Sequence, residues 1–204
     1  MKSGLARVCV SVAVAVAGMS MACGEIVYEN LVTTTGAFSG VTLQQGDEVT
    51  LGGTARVLTG FTLPLVSSAY GSSAARLRFS LYRNDGPDGA PRTLLYRDDA
   101  FDVEYTYGTI TLAELPLPNV LVPDTFTWTI APVSTSGWYP DLPWYDPPTI
   151  GSSGDFFWQR WVGEWRRVNI FPDLNDNFGA RFAAVPEPAA GLLALALLLA
   201  YRRR

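Results

Sequence analysis

Between positions 25 and 184 the apolar residues recur every second residue in short runs, and no window sustains the 3.6-residue period of a helix for long. The clearest run is Ala75 to Tyr82, where Ala75, Leu77, Phe79 and Leu81 alternate with Arg76, Arg78, Ser80 and Tyr82. Such alternation puts one face of a strand in a core and the other in water. Val57 to Leu63 and Phe126 to Ile130 alternate in the same way. Weaker strand signals lie at Ile26 to Leu31, Thr93 to Tyr96, Val103 to Tyr107, Phe156 to Trp161 and Val168 to Phe171. Glycine, proline, asparagine and aspartate punctuate these runs. The pattern predicts an all-β fold, an antiparallel β-sandwich of two packed sheets with jelly-roll or immunoglobulin-like topology.

The two ends of the chain do not belong to that pattern. Lys2 and Arg7 precede the apolar stretch Val8 to Ala17, with small residues at Ser20 and Ala22. This reads as a signal peptide over residues 1–22, cut after Ala22, with Gly24 as the alternative position. A rival reading makes Cys23 a lipid-modified N-terminus. At the other end Val185-Pro186-Glu187-Pro188 leads into the alanine- and leucine-rich run Ala189 to Ala200, followed by Tyr201 and Arg202, Arg203 and Arg204. Residues 185–204 therefore read as a tail with a transmembrane helix whose terminal arginines stay on the cytoplasmic side of the inner membrane. From Ala189 to Tyr201, at about 1.5 Å per residue, such a helix reaches only roughly 20 Å, against a hydrocarbon core of about 30 Å. A plain C-terminal anchor and a segment made to be handled and removed both fit that length.

A Pro-Glu-Pro triplet, a short apolar helix and a terminal arginine cluster, in that order, resemble the PEP-CTERM sorting signal of exported proteins of Gram-negative bacteria. The resemblance covers about a tenth of the chain. It implies a sorting motif at Pro186, Glu187 and Pro188, a stop-transfer charge at Arg202, Arg203 and Arg204, and processing by an exosortase-type membrane enzyme. The implied destination is the cell envelope, the cell surface or the extracellular, exopolysaccharide-rich matrix of a biofilm. A second segment, Leu81 to Gly86 and on through Ala90-Pro91, looks like one recurrent in exported bacterial β-sandwich modules with interchangeable anchors. Its two Asp-Gly steps and two prolines are turn chemistry, which predicts a surface loop between strands.

With the end segments set aside, residues 25–184 form one domain of ordinary size. Cys9 lies within the signal peptide and Cys23 at its edge, so the domain has no cysteine pair to oxidise. Ten arginines face eighteen acidic residues there, a balance of −8. Such a surface repels a phosphate backbone, and nucleic acid is not an expected partner. Arg166-Arg167 reads as a solvated edge.

The chain has no histidine and no lysine after Lys2. Serine–histidine, serine–lysine and cysteine–histidine catalysis are unavailable, as are imidazole metal sites, which leaves carboxylates as acid–base groups. Asp102 and Glu104 share a strand face at a separation of about 7 Å, a spacing that carboxylate-pair glycosidases also use. Any acidic strand face does the same, and no catalytic residue is assigned. Gly151-Ser152-Ser153-Gly154 lacks the spacing and the base of a nucleophile elbow and reads as a loop. Asp173, Asn175 and Asn177 recur with period two before Gly179, and Asp85 and Asp88 form a second acidic loop. Neither completes a calcium pattern, so no metal or cofactor is expected.

The most distinctive internal feature is Gly137 to Pro148, which holds Trp138, Tyr139, Trp144 and Tyr145 among prolines and aspartates. Its prolines argue against a central strand and for a long loop. Two outcomes are open for it. The four rings either present flat faces to sugars, or fold back and cap the sandwich. Trp158, Trp161 and Trp165 are expected in core packing or a hairpin. Two function classes follow: a non-catalytic exported surface or matrix protein, and a secreted carbohydrate-binding module or, less in keeping with the residues, a carboxylate-based glycoside hydrolase.

Overall fold

The computed structural model describes residues 24–170 and 177–187. The N-terminal apolar stretch with Cys9 and Cys23, the positions Asp173 and Asn175, and the tail from Pro188 through Arg202, Arg203 and Arg204 lie outside those residues, as does the transmembrane helix expected there.

The described chain is nearly all β. Its strands are β1 (Glu25–Asn30), β2 (Thr34–Gly40), β3 (Gln45–Gly46), β4 (Glu48–Thr50), β5 (Val57–Leu65), β6 (Ser72–Arg83), β7 (Leu94–Arg97) and β8 (Phe101–Thr106). After these come β9 (Thr111–Leu121), β10 (Thr125–Ser136), β11 (Asp141–Tyr145), β12 (Ser152–Ser153), β13 (Phe157–Trp161), β14 (Glu164–Val168) and β15 (Ala180–Val185). One 3-10 turn, Pro87–Gly89, is the only helical segment among the described residues. All strand pairings are antiparallel. Four strands make one sheet in the order β1-β15-β5-β9. Nine make a second, in which β10 pairs β6 on one side and β3 and β4 on the other; β2 and β11 form a separate ribbon.

Aromatic side chains hold the two larger sheets together. Phe61 of β5 stacks on Phe79 of β6 at 4.4 Å and lies 5.2 Å from Trp128 of β10 and 4.8 Å from Phe182 of β15. All four are buried. The alternation in Ala75 to Leu81 does what the sequence predicts: Ala75, Leu77, Phe79 and Leu81 face this core. Ser80 and Tyr82, on the opposite face, are buried too. Arg97 donates to both of them, and Gln44 donates to the Tyr82 hydroxyl, which covers that face.

Several expectations need correction. Of the strand expected at Val168 to Phe171, Phe171 lies outside the described residues, Asn169 and Ile170 are not strand, and Val168 instead ends β14, which pairs with β13 across the tight turn Trp161-Val162-Gly163-Glu164. Thr111–Leu121, which no expectation covered, is a strand that contains Pro116 and Pro118. It sits at a sheet edge, where an absent N–H interrupts no ladder. Residues 141–145 are strand and not loop, since the ribbon they form with β2 has two members and Pro143 tolerates that place. Ser152 and Ser153, read as loop, pair briefly with β4.

Candidate functional site

The aromatic stretch divides at Pro140. Trp144 and Tyr145 belong to β11, whose five residues are all buried. Trp144 is 1% exposed and Tyr145 5%. Long-range hydrogen bonds tie this backbone inward: the Tyr145 amide donates to the Asn177 carbonyl, and the Asn30 side-chain amide donates to the Tyr145 carbonyl at 2.7 Å. These two rings therefore have no face for a sugar: of the two outcomes left open for the stretch, they take the folded-back one, and as glycan contacts they are ruled out. Burial also pushes the Tyr145 phenol above its usual value.

Trp138 and Tyr139 turn outward, at 67% and 42% exposure. The backbone explains why. Gly137 has a φ of 101°, a conformation glycine adopts without strain, and a Cβ there would lie 2.6 Å from Ser73 Oγ. The next residue is then held by its main chain. Its amide donates to Ser73 Oγ at 3.4 Å, while its carbonyl accepts from Thr135 Oγ1 at 3.0 Å and from the buried Tyr105 hydroxyl. With both backbone groups engaged inside, the indole has only solvent to enter.

Asp141 ties a second loop to this turn. Its carboxylate is buried and accepts from the Ser68 amide at 2.9 Å, and its main chain exchanges hydrogen bonds with Val66. The loop so pinned carries Tyr70, which packs against Tyr107 at 4.2 Å from the β8–β9 turn. Tyr107 donates its amide to the Gly71 carbonyl. Four rings, Tyr70, Tyr107, Trp138 and Tyr139, are thus exposed on loops 66–71, 107–110 and 137–140 around the same end of β6 and β8. Sequence reading missed Tyr70 and Tyr107. Their signal was a tyrosine placed directly before a loop glycine, at Tyr70-Gly71 and Tyr107-Gly108.

This arrangement offers flat apolar faces for stacking. Asp141, directly after the 137–140 loop in the chain, has its carboxylate on the Ser68 amide. Asp102 and Glu104 lie on β8 with both side chains in solvent, and Asp102 reaches Arg76 only at 3.8 Å. Among the described residues no group of three or more acidic or cysteine side chains is placed to hold a metal ion. Of the loop carboxylates, Asp85 accepts from the Thr93 hydroxyl at 2.6 Å and from its amide at 2.9 Å, bonds that lower its pKa. Asp88 takes a left-handed conformation, and its carbonyl accepts from Arg167. Asn177 is buried and donates to Asp146. Pro186 and Glu187 follow β15 as exposed, unpaired chain. Comparison with protein-family models and with curated proteins returns no match to this chain.

Proposed function

We propose that this chain is an exported, non-catalytic protein of the cell surface or extracellular matrix, sorted through Pro186-Glu187-Pro188 by an exosortase-type membrane enzyme. The observation that carries the reading is the order of parts at the C-terminus: the Pro-Glu-Pro triplet, the apolar run and the arginine cluster. The fold supports it at one point. Strand β15 ends at Val185, and Pro186 and Glu187 leave it exposed, so an enzyme reaches the motif without disturbing a paired strand. The exported module is, in this reading, a sandwich of jelly-roll or immunoglobulin-like topology.

Intact mass of the protein recovered from its native host tests this. The expected product lacks both ends, cut near Ala22 and near Pro188. A Pro186→Ala, Pro188→Ala double variant is expected to accumulate as an unprocessed precursor in the inner membrane, and normal processing of that variant would overturn the reading.

A second reading is favoured by the exposure of Trp138. The ring cluster at the end of β6 and β8 serves as a contact for extracellular glycan, through Trp138 and Tyr139 with Tyr70 and Tyr107. Trp138→Ala, which removes a solvent-facing ring, is expected to weaken retention on the host's matrix polysaccharide without changing the melting temperature.

A further inference from the structure

The hairpin of β13 and β14 frames a cleft well away from the exposed ring cluster. Its turn, Val162-Gly163, has φ values of 50° and 88°, the left-handed pair that closes a two-residue hairpin. That turn sets a register in which Trp158 lies opposite Arg167 and Arg160 opposite Trp165. By strand alternation these four side chains share one face, on which Trp158 is itself 3% exposed, while Phe157 on the other face is buried in the core. The guanidinium of Arg167 lies 4.6 Å from the Phe156 ring and 5.1 Å from Trp158, and that of Arg160 lies 5.8 Å from Trp165. These are cation–π distances.

The hairpin leans over the end of β6 and the loop that follows it. Trp165 meets Tyr82 edge-on at 5.5 Å, and Arg167 donates to the Asp88 carbonyl at 2.6 Å. Between hairpin and loop runs an open cleft of about 740 Å³, within the size range of small-ligand sites. The hairpin contributes the half-buried Trp165 and the loop the exposed Pro87, while Trp158, 3% exposed and covered by Arg167, and the buried Pro91 form the floor. The loop is stiff before any ligand arrives. Two prolines limit its backbone, Asp85 clamps Thr93, and the Gly86 amide donates to the Ala90 carbonyl at 2.9 Å. A preformed wall lowers the ordering cost of binding.

Charge decides the ligand class. Arg92 and Arg167 line the cleft, and so do Asp88 and Glu164. The four sum to no net charge, on a domain that is acidic overall. A polyanion would meet as much repulsion as attraction there and would be repelled on approach. Guanidinium groups only donate hydrogen bonds and carboxylates only accept them. A ligand that satisfies both needs groups able to do either, together with flat apolar faces to set against indole and proline rings. Hydroxyl groups around a saturated ring meet that description.

We propose that the cleft between the β13–β14 hairpin and the 86–92 loop binds an uncharged glycan chain. This deepens the glycan-contact reading above and rests on it for the domain meeting polysaccharide at all, while placing a binding site elsewhere on the surface. The test is affinity electrophoresis of the protein as recovered from its native host. The gels contain that host's matrix polysaccharide, separated beforehand into uncharged and anionic fractions. The expected result is retardation by the uncharged fraction that persists on adding salt. Trp165→Ala and Arg92→Gln are each expected to weaken it about tenfold, in the native chain and in a Trp138→Ala background alike. Arg92 is exposed on the loop, so its variant reports on binding whether or not the tryptophan variant folds. Retardation by the anionic fraction alone, by neither fraction, or at full strength in the Arg92→Gln variant would overturn the proposal. Loss only in Trp138→Ala would also overturn it, leaving the ring cluster as the glycan contact.

Discussion

Tyr105 shows how a buried residue can control an exposed one. Its ring is in the core at the end of β8, and its hydroxyl reaches the main-chain carbonyl of Trp138, whose own ring is in solvent. Burial raises the Tyr105 pKa, which keeps the phenol protonated and able to donate. Removing that oxygen leaves the Trp138 carbonyl with Thr135 as its donor. Tyr105→Phe is therefore expected to lower stability by about 1 kcal/mol in urea unfolding. Amide exchange through residues 137–140 should speed up while the exchange of β13 and β14 stays unchanged. Equal exchange in both regions would mean that the hydroxyl does not hold the turn.

At the scale of elements, turns and edges decide where the strands go. The β13–β14 turn places Val162, 88% exposed, at a φ of 50°. A β-branched residue is strained in that region, and asparagine before glycine is the preferred pair for it. Val162→Asn is expected to stabilise the protein by about 1 kcal/mol, read as a higher midpoint in chemical denaturation. Because the cross-strand pairs Trp158–Arg167 and Arg160–Trp165 depend on this register, the same change should leave their mutual contacts as they are. β11, read as loop, and β9, unassigned in the sequence, both contain prolines, and both lie where one side of the strand is unpaired or only bridged. Local sequence reports that a proline cannot donate. It does not report whether a neighbour was there to accept.

Over the whole molecule, the first and last described strands pair with each other. Glu25 lies opposite Ala184, and the Arg181–Glu29 ion pair closes at 2.7 Å along the same ladder. The segments read as signal peptide and sorting tail thus leave the same region of one sheet. Phenols spread through the fold share a direction of shift. Tyr28 is pushed up by burial and then by the charge of Asp47, and burial also raises Tyr145, Tyr105 and Tyr96 above their ordinary value of 10.0. In the unfolded chain these groups lose protons near that value, while the folded protein still holds them. Stability is therefore complete below about pH 10 and falls as pH rises from there through the folded-state values. Thermal melts across the alkaline range should show this fall, and Tyr28→Phe should make it shallower.

The all-β class, the core face of β6 and the surface loop after it were legible in the sequence because period-two alternation and Asp-Gly turns are local properties. So was the exclusion of histidine chemistry, which is a matter of composition. Which rings of the 138–145 stretch face water was not legible. Trp138 and Trp144 sit in similar proline-flanked surroundings, and they part because one backbone is held by Tyr105 and Ser73 and the other is paired within β11. The cleft beside Trp165 was equally hidden, since its walls are separated by some seventy residues and are joined where Arg167 finds the Asp88 carbonyl. Alternation assigns a side chain to a face, but only packing between distant segments determines whether that face is covered.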